Sequence, residues 1–239
     1  MIASKSPATL VICATVPRQP VVPRSGSWLD VARGVPVPVT WVAGVDSLAA
    51  LGGRMEGLDL AIDLPPAACG SRTRLRDLLS RSRDAAPGIA AAVLRGPMPA
   101  DHRRLLVDHG IAVALVDAFD DDGRGSRRPA PRGWACRNAV WGLWEVQVTP
   151  PRRRGVLGWL GFGGLSRPRA GSLHVLRTEG LHSGNNAATF VASRLERWME
   201  WANGHRARGT AVVTELSALP ASLAGAGRSA LAGSVLRAA

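Results

Sequence analysis

Residues 58–116 read LDLAIDLPPAACGSRTRLRDLLSRSRDAAPGIAAAVLRGPMPADHRRLLVDHGIAVALV, and this stretch decides the fold. It holds three continuous apolar runs, Leu58–Leu64, Ile89–Leu94 and Ile111–Val116, separated by helix-like segments. Strands that are apolar at every position, and not only at alternate ones, are typical of a parallel sheet buried on both faces. The stretch therefore predicts two successive β–α–β units and an α/β fold.

The segments between these strands carry the pattern of helices. In Ser71–Ala86, three leucines between Leu75 and Leu79 recur at spacings of three and four residues, which places them on one helix face. The arginines of this segment lie largely off that stripe, so we predict that they form a solvated face. The second segment, Asp101–Asp108, is soon followed by Gly110, and glycine commonly ends helices.

The alternation of strand-like and helix-like segments continues on both sides. Further strands are predicted at Thr9–Val16, Val37–Ala43, Trp141–Thr149, Leu173–Thr178 and Thr210–Leu216. Further helices are predicted at Ser27–Arg33, at Asp46–Met55 with Asp46 as N-cap, and from about Asn185 to Asn203 with Gly204 as stop. This rhythm predicts a mainly parallel sheet covered by helices, arranged either as an α/β barrel or as an open sheet.

The formal net charge of +12 points to an anionic partner such as nucleic acid or a membrane surface. However, the basic residues are nearly all arginine, Lys5 being the only lysine, and the chain has no tyrosine. Such a composition is typical of a GC-rich coding sequence, so part of the charge has a compositional origin. The charge alone therefore does not predict a nucleic-acid partner.

Membrane spans, signal peptides and cysteine-based sites are not predicted. No apolar run approaches the roughly 20 residues of a spanning helix, because Arg, Pro and Gly interrupt every hydrophobic segment. The apolar stretch Thr9–Val16 is too short for a signal-peptide core, so we expect a cytoplasmic protein. Cys13, Cys69 and Cys136 show neither metal-ligand spacing nor a disulfide framework. No cofactor is predicted, and no feature predicts an oligomeric state.

Four short motifs occur in an informative order. Ser27–Trp41 looks like a helix followed by a strand, Arg95–Met98 reads Arg-Gly-Pro-Met, and Gly171–Leu176 and Gly209–Leu216 look like two late strands. In this order they resemble the polysaccharide deacetylase family, the NodB-homology fold, across roughly Thr9–Leu219. The resemblance implies an irregular (β/α) barrel of about seven strands, forming a single domain over residues 1–220. An insertion rich in Arg, Trp and Gly is then expected at about 120–170, and a C-terminal Ala/Gly-rich helix or tail at 221–239.

Members of that family remove acetyl groups from sugars with a divalent metal held by one Asp and two His, and a neighbouring Asp is the base. The first strand should end in Asp-Asp, but Cys13–Pro17 contains no acid. The segment after the third strand, Asp63–Cys69, contains no histidine, and Arg177 stands where the catalytic His is expected. The resemblance therefore implies a relative without a metal centre, either a carbohydrate-related pseudoenzyme or a binding protein.

Polar residues are predicted at the carboxyl ends of the strands, the end at which α/β barrels place active sites. They are Thr15, Asp46, Asp63, Arg95, Asp117, Arg177, Glu179, His182 and Glu215. The candidates for catalysis among them are Asp63, Arg95, Arg177, Glu179 and His182. A pair of rim carboxylates could serve a metal-independent carbohydrate hydrolase. The simpler expectation for Asp63 is an ion pair with Arg95, because arginine forms bidentate pairs with carboxylates.

Arginines and aromatic rings alternate in the segment Arg124–Arg169. Its candidate ligand-binding residues are Trp141, Trp144, Arg152, Arg153 and Arg154. Such a surface can bind sugars, an anionic polymer or, through the glycine-rich run Gly155–Leu165, an anionic membrane surface. Alternatively, the tryptophans belong to the core, the arginine triplet is an exposed loop, and the glycine-rich run is a lid over the barrel. His102 and His109, seven residues apart, are expected to be ordinary surface or helix-end histidines.

Overall fold

The computed structural model describes residues 6–16, 32–116, 135–137, 142–149, 165, 167–178 and 187–226. Its strands are β1 (Ala8–Thr15), β2 (Thr40–Ala43), β3 (Asp59–Leu64), β4 (Ala91–Leu94), β5 (Val113–Val116), β6 (Ala135–Arg137), β7 (Trp144–Gln147), β8 (Leu173–Thr178) and β9 (Ala211–Thr214). Its helices are α1 (Val45–Leu51, continued by a 3-10 turn at Gly52–Met55), α2 (Pro66–Cys69), α3 (Arg72–Ala85), α4 (Ala100–Asp108), α5 (Ala187–Ala207) and α6 (Leu219–Ala226).

Seven parallel strands form a sheet in the order β7-β5-β4-β3-β2-β1-β8. The two ends of this sheet meet at Thr149, just beyond β7. Its backbone N–H donates to the carbonyl of Val175 in β8 at 2.9 Å, and its hydroxyl accepts from the Val175 N–H at 2.9 Å. The sheet is therefore nearly closed as a barrel, which confirms the α/β expectation and decides between a barrel and an open sheet.

The first strand is the centre of the sheet because it pairs with three others. Along one edge β1 pairs with β8 from Thr9 to Ala14. The other edge is shared, since β9 takes its first half and β2 takes its second half. The N–H of Leu216, just beyond β9, donates to the hydroxyl of Thr40 at 2.8 Å. Thus β9 and β2 meet end to end beside β1.

The interior of the barrel is filled by small and branched side chains that alternate along the strands. They are Val11, Cys13, Val42, Ala61, Ala91, Val93, Val113, Leu115, Val146 and Val175. Leu216 and Leu219 are fully buried in the same cluster, and Leu223 of α6 packs against it. Because Leu216 bonds to the first residue of β2, this turn and α6 close the amino-terminal end of the barrel.

Helices cover the outer face of the barrel in two clusters. The first cluster, on β1 and β2, receives Leu195, Met199 and Ala202 of α5. The second, on β3 to β5, receives the leucines of α3 and α4, namely Leu75, Leu79, Leu105 and Leu106. The predicted helical stripes are therefore confirmed where the structure describes them, and the arginines of α3 are exposed as expected. Across the described residues, no helix combines the length and apolarity needed to cross a membrane.

All eight predicted strands are present, but three helix boundaries differ from expectation. Asp46 does not cap α1, which begins at Val45; it lies in the first turn. Helix α5 does not stop at Gly204 but runs to Ala207, and Gly209 follows with φ +66°. Helix α2 was not predicted, because Pro65-Pro66 looked like a strand end, whereas Pro66 occupies the first helical position where proline is favoured.

Candidate functional site

Four polar residues lie at the carboxyl end of the barrel, and we call this group the barrel mouth: Thr15, Asp63, Arg95 and Arg177. Each stands two positions beyond an interior residue of its strand, namely Cys13, Ala61, Val93 and Val175. Successive side chains of a strand alternate between faces, so all four point to the inner side. The mouth is the end of the barrel at which such folds place ligands.

Asp63 and Arg95 form a bidentate ion pair across the ends of β3 and β4. The Arg95 Nε donates to Asp63 Oδ1 at 2.6 Å, and Nη2 donates to Oδ2 at 3.2 Å. Both side chains are 20% exposed. The backbone N–H of Arg95 also donates to the carbonyl of Leu64 at 2.9 Å, so the chain itself is held at this point. The expected ion pair is therefore present and reaches the surface.

Arg177 stands beside Cys13 on the neighbouring strand, where the two residues are paired in the sheet. Its Nη1 atom is fully buried. Burial raises the pKa of the Cys13 thiol to about 12, and the charge of Asp59 adds to this, while the charge of Arg177 acts in the opposite direction. The guanidinium is thus inside the upper barrel, and the thiol beside it stays protonated.

Thr15 and Cys69 use their side chains to hold the backbone. The Thr15 hydroxyl donates to the carbonyl of Thr178 at 2.9 Å, which ties β1 to β8. The Cys69 thiol donates to the carbonyl of Leu64 at 3.6 Å, and burial raises its pKa. His102 of α4 donates from Nδ1 to the carbonyl of Cys69 at 2.9 Å and fixes α2. His102 is therefore a structural residue, buried where a surface or helix-end position was expected.

The residues at these positions do not fit a divalent metal. Both oxygens of Asp63 accept hydrogen bonds from Arg95, the Cys69 thiol is buried and bonded to a carbonyl, and the Arg177 guanidinium has no lone pair to offer. Within the described ranges, no three His, Cys, Asp or Glu side chains converge where a metal ion could bind. The donor set at this end of the barrel is thus one for hydrogen bonds and ion pairs.

Several residues predicted at the mouth lie elsewhere. Asp46 faces α3 and bonds to Arg81 at 2.9 Å, with 90% of its side chain exposed. Glu215 lies near Asp59 at the opposite end, because β9 pairs with the first half of β1 and so ends low in the barrel. Trp144 is at the start of β7 and packs partly buried against the interior cluster. The candidates Asp117, Trp141, Arg152, Arg153, Arg154, Glu179 and His182 lie outside the described residues.

The sequence did not predict the cavity of about 340 Å³ at the amino-terminal end of the barrel. Asp59, Glu215 and Trp41 line it together with the segment from Val35 to Val39. Burial raises the pKa of Glu215, and the nearby charge of Asp59 adds to the effect. The signal that could have placed Glu215 here is the short length of the last strand, which cannot reach the mouth from its starting point.

Comparison with known proteins gives little more than the general arrangement. No protein-family model and no curated protein matches the sequence. Among solved structures, a GH57 branching enzyme from Thermococcus kodakaraensis, crystallised in complex with glucose, shows 9% identity and a TM-score of 0.39. The match covers 90% of this chain but 65% of that enzyme, so the chain spans less than two thirds of its length.

Proposed function

We propose that this protein is a carbohydrate-binding barrel related to the polysaccharide deacetylases, whose mouth binds a sugar without a metal ion. The observation that carries the proposal is the Asp63–Arg95 pair, which is rigidly held and partly exposed at the end of the barrel where ligands bind. The motif order that resembles the deacetylases supports the choice of ligand class.

The pair has the chemistry of a sugar site. Carboxylates accept hydrogen bonds from hydroxyl groups, and guanidinium groups donate to hydroxyl or carbonyl oxygens. Because each group of the pair fixes the other, little side-chain entropy is lost when a ligand binds. Ligand sites commonly combine a few such polar groups with apolar walls, and the interior cluster supplies the walls here.

The same geometry favours binding over catalysis. A general base must reach the proton that it removes with an available oxygen. Asp63 is the described carboxylate at the mouth, and both of its oxygens already accept hydrogen bonds from Arg95. Its neighbours Cys69 and Arg177 cannot replace it, because one is a buried protonated thiol and the other is permanently charged. We therefore propose recognition of a sugar rather than its hydrolysis.

The test is a panel of neutral, N-acetylated and acidic oligosaccharides, followed by saturation-transfer NMR with the full chain. At least one sugar should bind, with the same affinity in the presence of EDTA, and Asp63→Asn should weaken the binding. Asp46→Asn is the matched control, because it removes an equally short carboxylate that is 90% exposed away from the mouth. Metal content by mass spectrometry completes the measurement.

Three outcomes would overturn the proposal. They are no binding by any member of the panel, stoichiometric metal together with EDTA-sensitive release of acetate, and equal loss of binding in both Asp variants. Thermal unfolding of each variant shows whether a loss of binding reflects a loss of folded protein. If Asp63→Asn does not fold, Asp63→Glu provides the second test, because it keeps the charge but displaces it from Arg95.

A further inference from the structure

The barrel mouth carries an excess of positive charge within the part of the chain that the structure describes. Arg95 and Arg177 contribute two guanidinium groups, and Asp63 contributes one carboxylate. The charge of Asp63 is already engaged by Arg95 through two hydrogen bonds. Arginine keeps its proton at every physiological pH, so the positive charge of Arg177 is permanent.

The position of Arg177 makes this charge available to a ligand in the mouth. It is the last interior-facing residue of β8, two positions beyond the fully buried Val175, and it is partly exposed. One of its nitrogen atoms, Nη1, is fully buried inside the upper barrel. Below it lie apolar side chains and the protonated thiol of Cys13, which offer the guanidinium no negative charge. In such a low-dielectric setting, an ion pair is stronger than it is in water.

We propose that the ligand of the barrel mouth is an acidic sugar and that the guanidinium of Arg177 binds its carboxylate. This inference rests on the proposed function and names the class of sugar. A carboxylate on a sugar ring is planar and matches the paired donors of a guanidinium group, which bind it more strongly than they bind a hydroxyl. The Asp63–Arg95 pair then serves the neutral hydroxyl groups of the same ligand.

Arg177 thereby supplies a fixed cation at the position where the resemblance to the deacetylases places a catalytic histidine. A permanent charge on a strand end needs no metal ion and no proton uptake to attract an anion. The residue determines specificity by charge and has no role in bond breaking.

The test uses tri-galacturonic acid and its methyl ester, which have the same ring structure but differ in charge. By calorimetry with the full chain, the acid should bind about tenfold or more tightly than the ester, as expected for a charge-assisted hydrogen bond. The preference should decrease as NaCl is added. Arg177→Gln should remove the preference, while Arg177→Lys should keep part of it because the charge remains.

Arg74→Gln is the matched control, because Arg74 is an exposed arginine on α3 and its loss changes the net charge equally. A preference that Arg74→Gln also removes would show only general attraction to a basic protein and would overturn the proposal. Equal affinity for the acid and the ester in the wild type would overturn it as well. If Arg177→Gln does not fold, the comparison of the wild type with Arg177→Lys decides.

The two levels of the hypothesis fail in different ways. If neutral sugars of the panel bind and the acid is not preferred, the assignment of Arg177 is wrong while the sugar-binding function stands. If no sugar of any kind binds, the function itself is wrong.

Discussion

Asp63 and Arg95 are joined by two hydrogen bonds of 2.6 and 3.2 Å, and this pair links the carboxyl ends of two neighbouring strands. A second Arg–Asp pair, Arg81 with Asp46, has a single bond of 2.9 Å on the helical surface. The side chains of the first pair are 20% exposed, whereas those of the second are 53% and 90% exposed. The two pairs therefore allow the effect of burial on an ion pair to be measured within one protein.

We expect the Asp63–Arg95 pair to stabilise the fold and the Arg81–Asp46 pair to contribute little. A double-mutant cycle with Asp63→Asn and Arg95→Gln should give a coupling free energy of about 1–3 kcal/mol by urea unfolding, as found for hydrogen bonds to charged groups. The cycle with Asp46→Asn and Arg81→Gln should give about 0–1 kcal/mol, because solvent screens exposed pairs. Equal coupling in the two cycles would contradict this expectation.

Gly96 should not tolerate a side chain. A Cβ atom there would lie 3.0 Å from both Cα and Cβ of Pro66, so alanine must push α2 away from the end of β4. Forced overpacking of this kind costs about 1–3 kcal/mol. Gly96→Ala should thus lower the free energy of unfolding and weaken any ligand at the mouth.

Gly44→Ala is the control for Gly96→Ala, because a Cβ atom at Gly44 meets nothing within 4 Å. It should change the free energy of unfolding by less than about 1 kcal/mol. Equal effects of the two alanine substitutions in urea unfolding would show that contact with Pro66 is not the cause.

Glu215 should make the stability depend on pH. Its pKa is raised in the folded state by burial and by the charge of Asp59, so the folded protein holds this proton more tightly than the unfolded chain does. The resulting stabilisation is complete below the ordinary pKa of glutamate and is lost as the pH rises through the raised value. Glu215→Gln should lack this loss.

Urea unfolding at a series of pH values measures the difference between the wild type and Glu215→Gln. The wild type should lose stability relative to the variant as the pH rises above the ordinary glutamate pKa. Asp59→Asn should narrow the window, since it removes one of the two causes of the shift. A difference that is constant across the pH range would contradict the assignment.

The thiols of Cys13 and Cys69 should be unreactive in the folded protein. Both are buried, and burial raises the pKa of each, so the reactive thiolate is scarce. In a Cys136→Ser background, Ellman's reagent should titrate neither thiol in buffer and two thiols in urea. Rapid reaction in buffer, in a protein that is folded by circular dichroism, would show that the barrel interior opens.

The strands were predictable because their signal is local. Runs such as Ile89–Leu94 and Leu173–Thr178 are apolar at consecutive positions, and only strands buried on both faces have that pattern. The Asp63–Arg95 pair was predictable for a related reason, since both residues directly follow or end neighbouring strands of a parallel sheet.

The positions of Glu215 and Trp144 were not predictable, because they depend on where a strand sits against its neighbours. A strand ending was taken to lie at the mouth, yet β9 pairs with Ala8–Val11 and ends near the amino-terminal side. Neither composition nor periodicity contains that register. The arrangement of α2 depends likewise on a contact between Gly96 and Pro66 that are 30 positions apart in the sequence.

The three-partner strand β1 also constrains how the chain can be made. Two of its partners, β8 and β9, end at Thr178 and Thr214, so β1 waits for them while most of the chain is synthesised. At about 5–20 residues per second, the roughly 200 intervening residues take about 10–40 s to emerge from the ribosome. During that time an apolar strand keeps open edges that other chains could pair with. The nascent protein is therefore a natural client for chaperones that shield strand edges until the last turn is complete.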